Sequence, residues 1–292
     1  MKKRLLLNLV LLVLVAGLGL FVMNRDKPAD PGAQRFPVAT FDPAAVSRLS
    51  LEQPTKKPVV FEKREGRWFM LEPLKGRADS FSIGRILAIA NADSADRFVL
   101  EDPAKYGLET PQIRVRMDDK EFDYGMFNPV GGEQFVAHGG HVFSVATTFA
   151  EAAGIQPLEL MDKRPFDSSE DIVGFDLGAL EQWESSQLQV DLQEDGKWKV
   201  SATAAKPNQD EMNAWFKEWQ DLRATSVEPF TPDGAQHPHL VVKLRSGKKI
   251  RLIKMQESPE LLLVREDENL QYHFPQDVGF NILNQPAGFK LE

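Results

Sequence analysis

The sequence contains no cysteine. That absence excludes a disulfide framework, a thiol nucleophile, thiolate zinc sites and iron–sulfur clusters. Positive charge is in deficit: 35 Lys and Arg stand against 43 Asp and Glu, a net charge of -8. A general nucleic-acid binder would carry a basic footprint, so no nucleic-acid partner is expected. Catalytic signatures are missing as well. Neither a G-x-S-x-G elbow nor an H-E-x-x-H motif occurs, which excludes those two kinds of hydrolytic site. What remains is a chain of 292 residues, 42% hydrophobic and 27% charged. That composition is globular, and the length has room for about two domains.

Charge is also absent from residues 5–23, which follow Met1, Lys2, Lys3 and Arg4. Asn8 is the one strongly polar residue there. About 20 apolar residues span a bilayer, whereas a secretory core is usually shorter. No A-x-A cleavage pattern follows the run, and Gly17-Leu18-Gly19 lies inside it. Without cysteine, lipoprotein processing is impossible. Residues 1–24 are therefore read as an uncleaved signal anchor. The flanking cations hold its start in the cytoplasm. The expectation is a single-pass protein of the bacterial inner membrane, held through residues 5–23, with its C-terminal bulk in the periplasm. Residues 25–42, with Pro28, Pro31, Gly32 and Pro37, read as an extended tether.

The rest of the chain repeats itself at a distance of about 130 residues. Gly66-Arg67-Trp68 recurs as Gly196-Lys197-Trp198, each following an apolar strand-like run. Both read as hairpins. A helical stripe follows in each copy: Ile83, Ile86, Leu87 and Ala90, then Met212, Trp215, Phe216 and Trp219. Asp79 or Ser80 can cap the first helix and Asn208 the second, with Glu211 as a capping-box partner. Alternating strands come next. Ile113, Val115 and Met117 match Leu240, Val242 and Leu244, while Phe122 and Tyr124 match Ile250 and Leu252. The expected class is α+β, with two tandem duplicated units at 43–166 and 167–292. Each would be an antiparallel sheet with a helix packed on one face, behind the N-terminal transmembrane helix.

The segment Asp102-Pro103-Ala104-Lys105-Tyr106-Gly107-Leu108-Glu109-Thr110-Pro111 resembles the hallmark of a bacterial family, domain of unknown function 4340. The resemblance covers most of residues 43–166 and extends more weakly into the second copy, where Ala235-Gln236-His237 replaces the Tyr-Gly-Leu turn. It implies a membrane-anchored protein, because some relatives look like auxiliary components of gliding-motility-type ABC transporters. It supplies no catalytic or binding residue. Tyr106, Gly107 and Leu108 are read as a structural turn, with Gly107 at positive φ.

Other candidate chemistry competes with structural readings. His138 and His141 form H-x-x-H, and His237 and His239 form H-x-H. Imidazoles in such patterns bind metals, but Gly139-Gly140 reads as a hairpin turn and His237-Pro238 as a loop. No metal and no cofactor is expected. The glycines at 125, 131, 132, 139 and 140 lack the Lys-Ser/Thr of a phosphate loop. Acidic pairs such as Asp118-Asp119 sit in turn-like settings. Trp215 and Trp219 lie on an apolar stripe and read as core rather than as a sugar platform; the place of Trp183 is left open. Lys243, Arg245, Lys248, Lys249, Arg251 and Lys254 form one basic hairpin in an acidic chain. It is either the wet side of a half-buried sheet or a contact for an acidic partner, with Lys243, Arg245, Lys249 and Arg251 as the contact residues.

The leading expectation is a non-enzymatic periplasmic interaction or accessory protein of an envelope complex, an ABC transporter among the options. The alternative is a periplasmic module that holds a small molecule or glycan between its two repeats. An envelope hydrolase is the third reading.

Overall fold

The computed structural model describes Val15 and residues 34–129, 131–201 and 208–284. The anchor expected at residues 5–23 lies outside the described residues but for Val15, and so does the tether up to residue 33. Among the described residues no helix is long and apolar enough to cross a membrane.

The first part of the chain forms β1 (Phe36–Pro37), β2 (Arg48–Glu52), β3 (Val59–Arg64), β4 (Arg67–Glu72) and β5 (Gly76–Arg77). Helix α1 (Ser80–Leu87), β6 (Asp93–Ser94) and β7 (Arg97–Val99) follow. Then come β8 (Ile113–Met117), β9 (Lys120–Asn128), β10 (Glu133–His138), β11 (His141–Ala146) and α2 (Thr147–Ala153). β1 and β6 make a small ribbon; the others form an antiparallel sheet in the order β5-β4-β3-β2-β8-β9-β10-β11-β7. Alternation builds it. Val115, Met117, Phe122 and Tyr124 all turn inward and are buried, as the two-residue period of a strand demands. Gly66, at φ 80°, closes the β3–β4 hairpin.

The second part forms β12 (Ile172–Asp176), β13 (Gln189–Leu192), β14 (Trp198–Val200), α3 (Gln209–Gln220) and β15 (Ser226–Pro229). It continues with β16 (His239–Leu244), β17 (Lys249–Gln256), β18 (Glu260–Arg265), β19 (Leu270–Pro275) and α4 (Gln276–Leu283). These strands form a second antiparallel sheet, β14-β13-β12-β16-β17-β18-β19-β15. Asp79 caps α1 by accepting from the Ser82 amide at 2.8 Å. Asn208 caps α3 through the Asp210 amide at 3.0 Å. Each cap satisfies one of the amides that a helix start leaves unpaired.

This architecture corrects the α+β expectation of two helix-backed, transmembrane-tethered units. The described chain is mainly β, with 39% strand against 22% helix in three antiparallel sheets. Two physical reasons account for the difference. The helical stripes are short, with 8 residues in α1, 7 in α2, 12 in α3 and 8 in α4. Meanwhile segments with no alternation, such as β5, β7 and β15, are recruited as extra strands. The main apolar core also spans both halves, running from Phe61 and Phe122 through Met161 and Phe166 to Phe175, Trp219 and Phe274. Gly76 of β5 helps to join the halves. A Cβ there would meet the Met161 methyl at 2.4 Å and Leu270 of β19 at 3.0 Å.

Candidate functional site

The face of the first sheet that looks away from the core carries a second, small apolar cluster. It is built by the turn between β7 and β8. Asp102 accepts from the Ala104 amide at 3.1 Å and starts a short 3-10 turn over Pro103–Tyr106. Gly107 ends it at φ 68°, a left-handed conformation that costs an L-residue energy. Tyr106 and Leu108 are thereby laid on Ala137 and Val142, with Phe135 and Leu100 at the margin. Tyr106 meets Phe135 edge-on at 5.1 Å between ring centroids and stacks with Phe98 at 6.0 Å. The turn sits so close that a Cβ on Gly125 would lie 2.1 Å from the Tyr106 carbonyl oxygen.

Around this turn the surface is apolar and open. Phe98 is 41% exposed, Val99 63% and Met126 41%. Phe98 and Val99 belong to β7, the free edge of the sheet, and all three of its residues are exposed. Its one charge, Arg97, is turned to His141 at 2.9 Å. The matching edge of the second sheet is β15. There Val227 is buried, and exposed Glu228 and Pro229 follow it. Charge and proline blunt an edge against further pairing; β7 has no proline, and its one charge is Arg97. Beside the patch, the middle of the same face is a lattice of ion pairs. Arg114 binds Asp123 at 2.6 Å and Glu121 at 3.1 Å, and Arg116 binds Glu121 and Glu52.

The basic hairpin of β16 and β17 is laced to acidic neighbours. Lys243 pairs with Asp191 at 2.8 Å, Arg245 with Asp171 at 2.5 Å and Arg251 with Glu266 at 3.1 Å. Lys248 pairs with Asp267 at 2.7 Å, and Lys254 with Glu181 and Glu257 at 2.7 and 2.9 Å. Lys249 is exposed and has no ion pair among the described residues. Positive charge gathered in the sequence is thus paired across the strands, with Lys249 left over.

The second sheet carries an open cleft of about 860 Å³. One wall is the end of β12 and the segment after it, with Asp176, Glu181 and Glu184. The other is His237 from the loop entering β16 and His239 at the start of β16, joined by Arg251 from β17. Arg251 reaches His239 Nδ1 at 3.3 Å, and its Nε is buried without a partner. The remaining sequence candidates lie apart from it. His138 stacks on Phe122 at 4.2 Å, with Nδ1 2.7 Å from the Glu121 carbonyl. Among the described residues no three His, Asp or Glu side chains converge as a metal site. Trp183 and Trp215 are buried, donating their indole N–H to the Leu283 and Asn284 carbonyls. Trp219 lies buried against Phe166 and Phe175. Asp118 tethers the start of β2 by accepting from the Ser47 hydroxyl and the Arg48 amide, both at 2.9 Å.

Between the two sheets stands a charged junction. Arg77 of β5 donates from Nε to Glu268 at 2.8 Å and faces Asp162 at 3.5 Å. Arg265 of β18 binds Glu170 at 2.5 Å and Asp267 at 2.9 Å. Burial alone would lower the pKa of both guanidiniums, but the acidic neighbours outweigh it and push both well above the ordinary value. They stay charged, and the junction is occupied by protein groups.

The sequence model of a family described as Domain of unknown function (DUF4340) matches residues 68–233, more than half of the 292. The chain belongs to the domain of unknown function 4340 family. Neither a curated protein nor a solved structure matches it. In this member of the domain of unknown function 4340 family, the matched stretch encloses the Tyr106 turn, edge strand β7 and the acidic wall of the cleft. It ends before β16. Phe98, Val99 and Met126 were invisible as a patch in the sequence. The one signal was an apolar Phe98-Val99-Leu100 run that belongs to no periodic segment.

Proposed function

We propose that the chain is a membrane-anchored periplasmic protein without enzymatic activity, an interaction or accessory component of an envelope complex. An ABC transporter is the narrowest form of that reading. The observation that carries it is the exposed edge β7, where Phe98 and Val99 lie open next to the Tyr106 turn. An exposed edge accepts a strand from another protein through main-chain hydrogen bonds, and flanking apolar side chains supply specificity. A patch of this kind marks contact with a partner. The partner is therefore an extended protein segment with apolar side chains.

The test is a photo-crosslinking residue in place of Val99, in the full-length protein at native expression. A discrete adduct is expected from Val99, and Phe98→Asp should suppress it. The same probe at Glu228, on the blunted edge β15, serves as the control. Recovery of monomer alone from the Val99 probe would overturn the reading. A second reading, a small-molecule module, is favoured by the open cleft beside His239 on the second sheet.

A further inference from the structure

We propose that the cleft between Glu184 and Arg251 binds a small solute carrying both a primary ammonium and a carboxylate, of amino-acid or short-peptide size. The site is separate from the β7 edge, and its failure would leave the docking reading untouched.

Shape and polarity come first. At about 860 Å³ the cleft is large enough for a short peptide, and no Phe, Tyr or Trp lines it. Sugars and nucleobases are held largely by stacking on aromatic faces, so flat ligands find no platform here. The lining is instead divided by sign. Carboxylates of Asp176, Glu181 and Glu184 line one part, and the Arg251 guanidinium another. A solute with charge of both signs matches both walls at once.

Free bonding capacity decides where each end goes. Asp176 is already used: it accepts from the Gly178 amide at 3.1 Å and from Gln189 at 3.4 Å. Glu181 is held by Lys254 at 2.7 Å. The Glu184 carboxylate has no ion pair among the described residues, which makes it the receiver of an ammonium. Arg251 spends one terminal nitrogen on Glu266 and the other on His239. Each terminal nitrogen of a guanidinium carries two hydrogens, so a donor remains on each for a ligand carboxylate.

The acidic wall is also set in a costly backbone shape. Gln187 has φ 49°, a left-handed conformation that is uncommon for a non-glycine residue. It is held there by its amide, which donates to the Trp183 carbonyl at 2.8 Å. Its side chain donates to the carbonyls of Glu184 at 2.7 Å and Gly178 at 3.3 Å. Strain of this kind collects at ligand clamps. Here it fixes the backbone that carries Glu184.

The experiment is calorimetric titration of the full-length protein with the dipeptide alanyl-lysine. The arms are the dipeptide acetylated on both its α- and ε-amino groups, the C-terminal amide and the neutral sugar maltose. Saturable binding of alanyl-lysine is expected. Acetylation and Glu184→Gln should each weaken it about tenfold, and amidation and Arg251→Gln should do the same. Lys249→Gln, outside the cleft, should leave it unchanged. The proposal is overturned if alanyl-lysine does not bind. It is equally overturned if folded Glu184→Gln and Arg251→Gln bind as wild type, or if maltose binds better.

Discussion

Arg77 and Arg265 donate to one oxygen, the carbonyl of Pro165, at 3.2 and 2.6 Å. Arg77 comes from the edge of the first sheet, Arg265 from the second, and Pro165 from the segment between them. Two cations converging on one carbonyl repel each other, so the arrangement depends on the carboxylates around it. Glu268 takes Arg77 and also accepts from the Tyr272 hydroxyl at 2.9 Å. Glu170 and Asp267 take Arg265. Arg265 is 2% exposed and Arg77 7%, so water cannot replace a lost partner.

Removing one member should therefore leave an uncompensated buried charge. Breaking such a pair from one side costs about 3–5 kcal/mol. Glu170→Gln should weaken the fold less than Arg265→Ala, because Arg265 keeps Asp267 in the first case, whereas Glu170 and Asp267 both lose Arg265 in the second. Urea unfolding checks this as a fall in midpoint at constant slope. A change below about 1 kcal/mol for Arg265→Ala would show that the junction contributes little to stability.

The same network predicts acid sensitivity. Burial alone would raise the Asp267 carboxyl, but hydrogen bonds from Arg265 and Lys248 outweigh it and hold it at about 2. Glu170 is likewise kept below the usual carboxylate range by Arg265, against the effect of its burial. A folded value below the unfolded one means that stability is fully present above pH ~4, the unfolded carboxylate range. It drains away as the pH falls toward 2. Denaturation midpoints from pH 7 to pH 2.5 should decline mainly below pH ~4. Asp267→Asn should start from a lower midpoint and decline less steeply.

Much of the framework was legible because it rests on local signals. The turns at Gly66 and Gly196, the alternation of Val115 with Met117 and of Val242 with Leu244, and the caps Asp79 and Asn208 all follow from neighbours in the chain. β7 and β15 do not. Each is 3 or 4 residues long, without alternation, and is a strand only because β11 or β19 lies beside it. The pairing of the basic hairpin was not legible for the same reason. Its neutralising partners Asp191, Asp171 and Glu266 come from other strands or loops, and only the register brings them near. The cleft was hidden too, since His239 and Glu184 lie on separate segments that meet in space.

Two glycines test how the Tyr106 turn is seated. Gly107 needs positive φ, and a Cβ there would also meet the Met126 amide nitrogen at 2.9 Å. Gly125 has no such φ, yet its Cβ would collide with the Tyr106 carbonyl at 2.1 Å. Gly107→Ala should cost about 1–2 kcal/mol from conformation alone, and Gly125→Ala about 1–3 kcal/mol from overpacking. Both should raise hydrogen exchange around Tyr106 and Leu108 ahead of global unfolding. If Gly125→Ala leaves that exchange unchanged, the turn does not lie on β9 as closely as these distances require.

The Lys243–Asp191 pair separates a structural role of the basic hairpin from a contact role. It arches over Gly174 of β12, where a Cβ would come within 2.6 Å of the Asp191 carboxylate and 3.3 Å of the Lys243 chain. The missing side chain at Gly174 is what lets the two charges meet across three strands. Lys243→Glu should then cost about 1 kcal/mol, the scale of a partly exposed pair turned repulsive. Adding Asp191→Lys restores opposite charges and should recover most of the loss, which a double-mutant cycle reads as coupling. Both effects should shrink at 1 M salt, where screening acts within about 3 Å. A cycle with no coupling would mean that Lys243 is free to meet a partner and would favour the contact role.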